Sequence, residues 1–325
     1  MNMKELVTFV KSKKRLLIPV ACVLVILIVI LCLFCCRTGR PVREVPQIQG
    51  NNETELPDLA EAINHLSQLG SADFLALQAD ADREAFVEDF WRWSFGEAGL
   101  PQRLARKVSE SVLESPSFVM ELLVILQQDP YTYYLVDKQH MLPEGYEPGD
   151  LLPLKNGTYH VTRNDLSLRK IAYDSLQEMA EAAAAEGVVF TIGSSYRSAA
   201  YQKEVYERNV KTYGKETADR ESAQPRKSQH QLGLIIDFSP IDDSFAETEA
   251  CKWMLKNASR FGWSISFPDG YEEVTGYRWE SWHYRYVGRD LAAFIDNYFE
   301  GVQQYALQFI HAWQAQEQAL EQGVE

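Results

Sequence analysis

Ser228-Gln-His-Gln-Leu-Gly-Leu-Ile-Ile-Asp237 decides how this chain is read. Its second half, continued to Phe238, predicts a buried strand. Leu234 and Ile236 share one face of it, Ile235 and Asp237 the other, because side chains alternate along a strand. A carboxylate among such apolar neighbours is costly to bury unless it is paired or binds a metal. Gly233 permits a sharp turn, which would bring His230, on the preceding loop, to the same place as Asp237. Taken alone, the plainer reading is a hydrogen-bonded or exposed Asp at a strand end.

A second motif, Glu280-Ser-Trp-His283, changes the balance. Two imidazoles and one carboxylate are enough to hold one Zn²⁺ with its fourth position open. His230, Asp237 and His283 are the candidate ligands. A second carboxylate, Glu280, stands three residues before a histidine, where a general base for water would sit. Glu280 and His283 cannot face the same side of a regular strand, so a turn or bulge is expected near Ser281-Trp282. Arg197, in Ser194-Ser-Tyr-Arg-Ser198, falls at an expected strand-to-helix junction, where a guanidinium can hold a carboxylate through two parallel hydrogen bonds. Gln202 follows in the first turn of the next helix and offers an amide contact. Of the remaining histidines, His65 and His311 read as ordinary helix residues, and His140 and His160 lack comparable partners.

The chain has 325 residues, 46% of them hydrophobic, and a net charge of −14. The length allows one large or two modest domains, and the charge argues against a nucleic-acid partner, which needs a basic face. Four of the five cysteines, Cys22, Cys32, Cys35 and Cys36, lie in one apolar run, so no disulfide framework is expected in the remainder. That run, Leu16–Cys36, carries no charge and is long enough to cross a bilayer as a helix. Lys4, Lys11, Lys13, Lys14 and Arg15 before it favour the N-terminus inside, although Arg37, Arg40 and Arg43 follow it. Its bulky end, Leu33-Phe-Cys-Cys36, lacks the small residues of a cleavage site. The expectation is an uncleaved signal anchor with everything after it outside the cytoplasm.

The remaining organisation follows from periodicity. Residues 1–15 are an N-terminal tail, 16–36 the anchor and 37–56 a polar linker. Residues 57–128 predict a small helical domain, with Phe86, Phe90 and Trp93 on one face and breaks at Gly96–Pro101 and Ser115-Pro116. Trp91, Trp93 and Phe95 read as helix core rather than a binding patch. The pattern changes at Asp129-Pro130. Tyr131–Val136 suggests a short strand, Asn164 or Asp165 a cap for a helix running to about Glu186, and Val188–Ile192 a buried strand. Lys211–Lys227 reads as a polar loop, and a helix is expected near Glu247–Phe261. Val302, Tyr305, Ala306, Phe309 and Trp313 form a stripe on a final helix within a C-terminal segment, 291–325.

With these motifs in place, the chain resembles the VanY-type D-alanyl-D-alanine carboxypeptidases, a group of zinc peptidases that includes lysostaphin-like enzymes and the hedgehog domain. The resemblance rests on Ser195-Tyr-Arg-Ser198 with Gln202, on Ser228-x-His230-x-x-Gly233-x-x-x-Asp237, and on Glu280-x-Trp-His-x-Arg-Tyr-Val-Gly288. It covers roughly Tyr131–Gly288. It implies an α+β fold around a small antiparallel sheet flanked by helices, forming a zinc carboxypeptidase domain at 129–290. It also implies zinc on His230, Asp237 and His283, Glu280 as base, Arg197 on the substrate carboxylate or oxyanion, and Gln202, Ser228, Tyr196 and Trp282 along a substrate groove. Ser195 stands where a Gly is usual, and Ile235-Ile236 is bulkier than the common version. The function implied is removal of the terminal D-alanine from a peptidoglycan stem peptide at the outer face of a bacterial membrane. Alternatives are L,D-carboxypeptidase or endopeptidase action on the same peptides, a non-catalytic module binding cell wall or protein, and a tethered scaffold acting through 57–128.

Overall fold

In a computed structural model that describes residues 80–114 and 116–321, the segment around Asp237 forms the middle strand of a five-stranded sheet. The strands are β2 (His160–Val161), β4 (Thr191–Ser194), β5 (Ile235–Phe238), β6 (Trp263–Ile265) and β7 (His283–Tyr286), in the order β2-β4-β5-β7-β6. A separate antiparallel pair joins β1 (Leu151–Pro153) to β3 (Ser167–Arg169). The sheet is not wholly antiparallel as expected, because β2 pairs with β4 in parallel. The connection between them runs through β3 and the helix α4 (Lys170–Ala185), a crossover long enough to return the chain in the same direction. The fold is α+β.

Alternation along β5 separates two environments. Leu234, Ile236 and Phe238 join Ile192, Tyr284 and Tyr286 in the main hydrophobic core. Ala172, Leu176, Met179, Ala180 and Ala183 of α4 recur at helical spacing and are buried in that core. Each large side chain buried there contributes about 1.5–3 kcal/mol. On the opposite face, Ile235 stands across from Arg285 and Asp237 across from His283. That face carries the chemistry.

The described residues divide between two units, one holding residues 80–90 and 316–321 and the other Trp91–Ala315. Of the first, the described residues are the N-terminal turns of α1 (Asp80–Gly96) and the C-terminal turns of α10 (Gln303–Glu321). The second contains the sheets together with α2 (Gln102–Glu114), α3 (Pro116–Ile125) and α9 (Arg289–Tyr298). Helices from the expected segment 57–128, and most of 291–325, therefore fold in the same unit as 129–290. Phe118 packs against Phe294, Tyr298 and Phe309, and Trp93 against Phe309 and Trp313. Val302, Tyr305, Ala306, Phe309 and Trp313 are all buried, with Val302 just ahead of α10. Trp93 is core as expected, but Phe95 is 50% exposed and stacks on Trp91. The anchor Leu16–Cys36, the linker 37–56 and His65 lie outside the described residues. Among the described residues no helix is long and apolar enough to cross a membrane.

Three local expectations are corrected. Tyr131–Val136 forms no strand. The carbonyls of Tyr131, Thr132 and Tyr134 instead accept from the guanidinium of Arg285, which is fully buried. Helix α4 begins at Lys170 rather than near Asn164, because Ser167–Arg169 is taken by pairing with β1. The polar stretch from Lys211 is largely helical: α5 (Ala199–Tyr213) ends there and α6 (Lys215–Glu221) follows. Lys215 and Asp219 pair one turn apart on α6, a spacing that supports an exposed helix.

Candidate metal centre

His230 lies in a 3-10 turn, Gln229–Leu232, that ends at Gly233 in the left-handed region, φ 70°. Only glycine adopts this conformation without strain, and a side chain there would also collide with Arg169, 2.9 Å from an added Cβ. The turn sets His230 beside the start of β5. Asp237 is on β5 itself, and His283 opens β7 directly opposite it. Ser281 and Trp282 form the expected turn, closed by the His283 N–H donating to the Glu280 carbonyl at 3.3 Å. This returns Glu280 to the side of His283, with Oε2 3.4 Å from Nδ1.

The three candidate ligands are buried and offer atoms all within 4.8 Å of one another, and they are the one such group found among the described residues. His230 Nε2 lies 3.2 Å from Asp237 Oδ2, and His283 Nδ1 lies 3.1 Å from Asp237 Oδ1. Tetrahedral ligands about 2.0–2.1 Å from zinc sit roughly 3.3 Å apart, so the spacing fits. Asp237 Oδ1 is buried with His283 Nδ1 as its polar neighbour at 3.1 Å, an arrangement that needs a proton or a cation between the two atoms. The donor set and this facing pair of atoms both fit a metal ion.

Electrostatics agree. Burial, with Arg197 adding, pushes the His230 imidazole down to about 4 against the pull of Asp237. It is therefore neutral at pH 7, with a lone pair to give. Burial alone would lower His283 as well, but hydrogen bonds to Asp237 and Glu280 outweigh it and raise the ring to about 9. Asp237 is buried too, yet the two imidazoles hold it well below the usual carboxylate range. A cation at this point would take over from the proton on His283.

Around the cluster is a cavity of about 290 Å³ whose lining includes Arg197, Gln202, Ser228, Glu280 and Trp282. Arg197 Nη2 donates to Asp237 Oδ2 at 2.9 Å and to Ser194 Oγ at 2.8 Å. Its Nη1 reaches Gln202 Oε1 at 3.4 Å, and Gln202 in turn donates to the Ala223 carbonyl. The Ser195 carbonyl meets His230 Nδ1 at 2.6 Å, and the Ser195 hydroxyl accepts from Ser167 N–H. Tyr196 does not line the cavity. Sequence reasoning missed Gln229, Phe267, Tyr277 and Arg278, which do. Phe267 packs on the His283 ring, with centroids 4.7 Å apart, and Arg278 lies over Trp282. Position supplied a faint signal for two of them: Gln229 immediately precedes a candidate ligand, and Arg278 stands two residues before Glu280.

Two imidazoles, a carboxylate, a flanking glutamate and an arginine in one cavity are the set of groups that a mononuclear metallohydrolase centre requires. A model of the VanY D-alanyl-D-alanine carboxypeptidases matches residues 165–289. YodJ of Bacillus subtilis, a protein assigned by name to the carboxypeptidases, is 34% identical over 212 residues, 60% of this chain and 78% of that one. A D-alanyl-D-alanine carboxypeptidase of Enterococcus faecalis is 32% identical over 184 residues, 54% of this chain and 65% of that one. Among solved structures, a VanY D,D-pentapeptidase variant with Zn(II) is similar at 31% identity, covering 54% of this chain and 98% of that one, TM-score 0.45. The chain belongs to the VanY family and is a metallopeptidase of the D-alanyl-D-alanine carboxypeptidase type.

Proposed function

We propose that this protein is a zinc D,D-carboxypeptidase that releases the terminal D-alanine from peptidoglycan stem peptides. The observation that carries the reading is the meeting of His230, Asp237 and His283 beside Glu280, at a cavity also lined by Arg197. Zinc held by the three ligands supplies Lewis acidity, which acidifies water and polarises a carbonyl oxygen. Glu280 takes the proton from the attacking water and delivers it to the leaving amine. Arg197 holds the carboxylate of the terminal residue and so favours substrates with a free C-terminus. Ser228, Gln202 and Trp282 border the same cavity and orient the peptide. Tyr196, outside it, is not part of the proposed contact set.

The apolar run Leu16–Cys36, with its upstream lysines, supports a single membrane-spanning anchor that leaves the peptidase outside the cytoplasm, where the polymer is. The deciding experiment is mass spectrometry of muropeptides with pentapeptide or tetrapeptide stems after incubation with the protein. Loss of one D-alanine from pentapeptides supports the proposal. Loss only from tetrapeptides makes the enzyme an L,D-carboxypeptidase, and cleavage inside a cross-link an endopeptidase. Zinc-loaded, folded protein that leaves every stem intact makes it a binding module.

A further inference from the structure

The two histidine ligands are steered differently. A neutral imidazole that gives one nitrogen to a cation carries its proton on the other, and the partner of that second nitrogen selects the tautomer. His230 presents Nε2 to Asp237, and its Nδ1 faces the backbone carbonyl of Ser195 at 2.6 Å. No substitution of a side chain can remove that acceptor. His283 is turned the other way: Nδ1 faces Asp237 and Glu280, and Nε2 faces the side-chain carbonyl of Gln229 at 3.3 Å. An amide can present either end. Its orientation here is held by Ser266, whose hydroxyl donates to the same Gln229 Oε1 at 2.7 Å. Ser266 is itself tied to the ligand strand, its N–H donating to the His283 carbonyl at 3.2 Å. Gln229, Ser266 and His283 are all buried, so the three residues are linked in one buried network, two side-chain contacts closed by a backbone hydrogen bond.

We propose that Gln229, oriented by Ser266, is the positioning residue that keeps the proton of His283 on Nε2 and thereby leaves Nδ1 free for the metal. The proposal rests on the metal-centre reading above and names a determinant of metal affinity rather than of peptide cleavage. Were the amide reversed, its NH₂ would donate to Nε2, drive the proton to Nδ1 and block the ligand atom.

The test compares the full chain with Gln229→Leu, which removes the acceptor; Gln229→Glu, which keeps one; and Ser266→Ala, which removes the orienting donor. Zinc affinity is measured by competition with a chromophoric chelator. Removing such a partner of a ligating histidine typically weakens metal binding about 10–100-fold, so Gln229→Leu should lose affinity on that scale. Gln229→Glu should stay near the unaltered protein, and Ser266→Ala should fall between. Nitrogen NMR of the zinc-loaded, histidine-labelled protein should show the His283 proton on Nε2. Equal affinity in Gln229→Leu and the unaltered protein would overturn the proposal, as would equal losses in Gln229→Leu and Gln229→Glu. The NMR measurement needs no variant: a proton on Nδ1 refutes the assignment even if Gln229→Leu does not fold. None of these readouts uses peptide hydrolysis, so failure of the carboxypeptidase reading and failure of this one are told apart.

Discussion

Replacing Glu280 by Gln separates proton transfer from metal binding. Gln keeps the size of the side chain and an oxygen near His283, but cannot accept a proton at neutral pH. Glu280 lies 3.4 Å from His283 Nδ1 and outside the set of three mutually close ligand atoms. The variant should therefore retain zinc at one equivalent per chain. A positioned general acid–base contributes about 10²–10⁴-fold to rate, which corresponds to about 3–5 kcal/mol of barrier at 1.36 kcal/mol per decade. The loss should fall on kcat, with KM nearly unchanged, because Arg197, Gln202 and Ser228 still line the cavity. The assay is D-alanine release from a pentapeptide stem, paired with metal analysis of the same sample. Retention of activity within about threefold, well short of the roughly 10²-fold that such a group contributes at least, would refute the assignment of the base. Zinc lost together with activity would instead make Glu280 a ligand.

Asp237→Asn should abolish stoichiometric zinc binding, measured by metal analysis after dialysis, because it removes the negative charge and turns one of the two oxygens that face His230 and His283 into an NH₂. Arg197→Lys keeps the charge but gives up the fork that joins Asp237, Ser194 and Gln202. At about 1.5–3 kcal/mol per charged hydrogen bond, kcat/KM for a substrate with a free carboxylate should fall roughly 10–100-fold, and an amidated C-terminus should blunt the difference. Arg285→Ala would leave the carbonyls of Tyr131, Thr132 and Tyr134, the second of them buried, without their donor and open a void, so a loss of about 3–5 kcal/mol in denaturant unfolding is expected. Burial would raise Asp137, but the N–H groups of Gln139 and His140 and the Gln304 amide outweigh it and hold the carboxyl below its ordinary value. Its folded pKa lies below the unfolded one, so it stabilises above about pH 4. That contribution fades as pH falls through the folded value, so Asp137→Asn should flatten the acid limb of the denaturant midpoint against pH.

The site was more legible in the sequence than the surrounding chain. Leu234–Phe238 announced its two faces, and Gly233 announced its turn, because both depend on residues within one or two positions. The separation of Glu280 from His283 demanded a turn, and one is there. The misread stretches depend on distant partners. Tyr131–Val136 has the composition of a strand, but its carbonyls are claimed by Arg285 from the other side of the fold. Ser167–Arg169 reads as the approach to a helix until β1 pairs with it. The helix Lys215–Glu221 has no apolar stripe, so its charge pairs were the only local sign. Gln229 went unread because an amide beside a histidine gains meaning only once Ser266 and His283 are seen to converge on it.

Asp237 and His283 occupy a single rung between neighbouring strands. Slipping β7 by one residue would set Trp282 or Tyr284 across from the carboxylate, with the imidazole turned to the other face. Such a chain could not capture the ion. Loading thus proofreads the ladder: it rewards only molecules whose hydrogen-bond register is already right, and refolding with zinc present should enrich them over their slipped competitors.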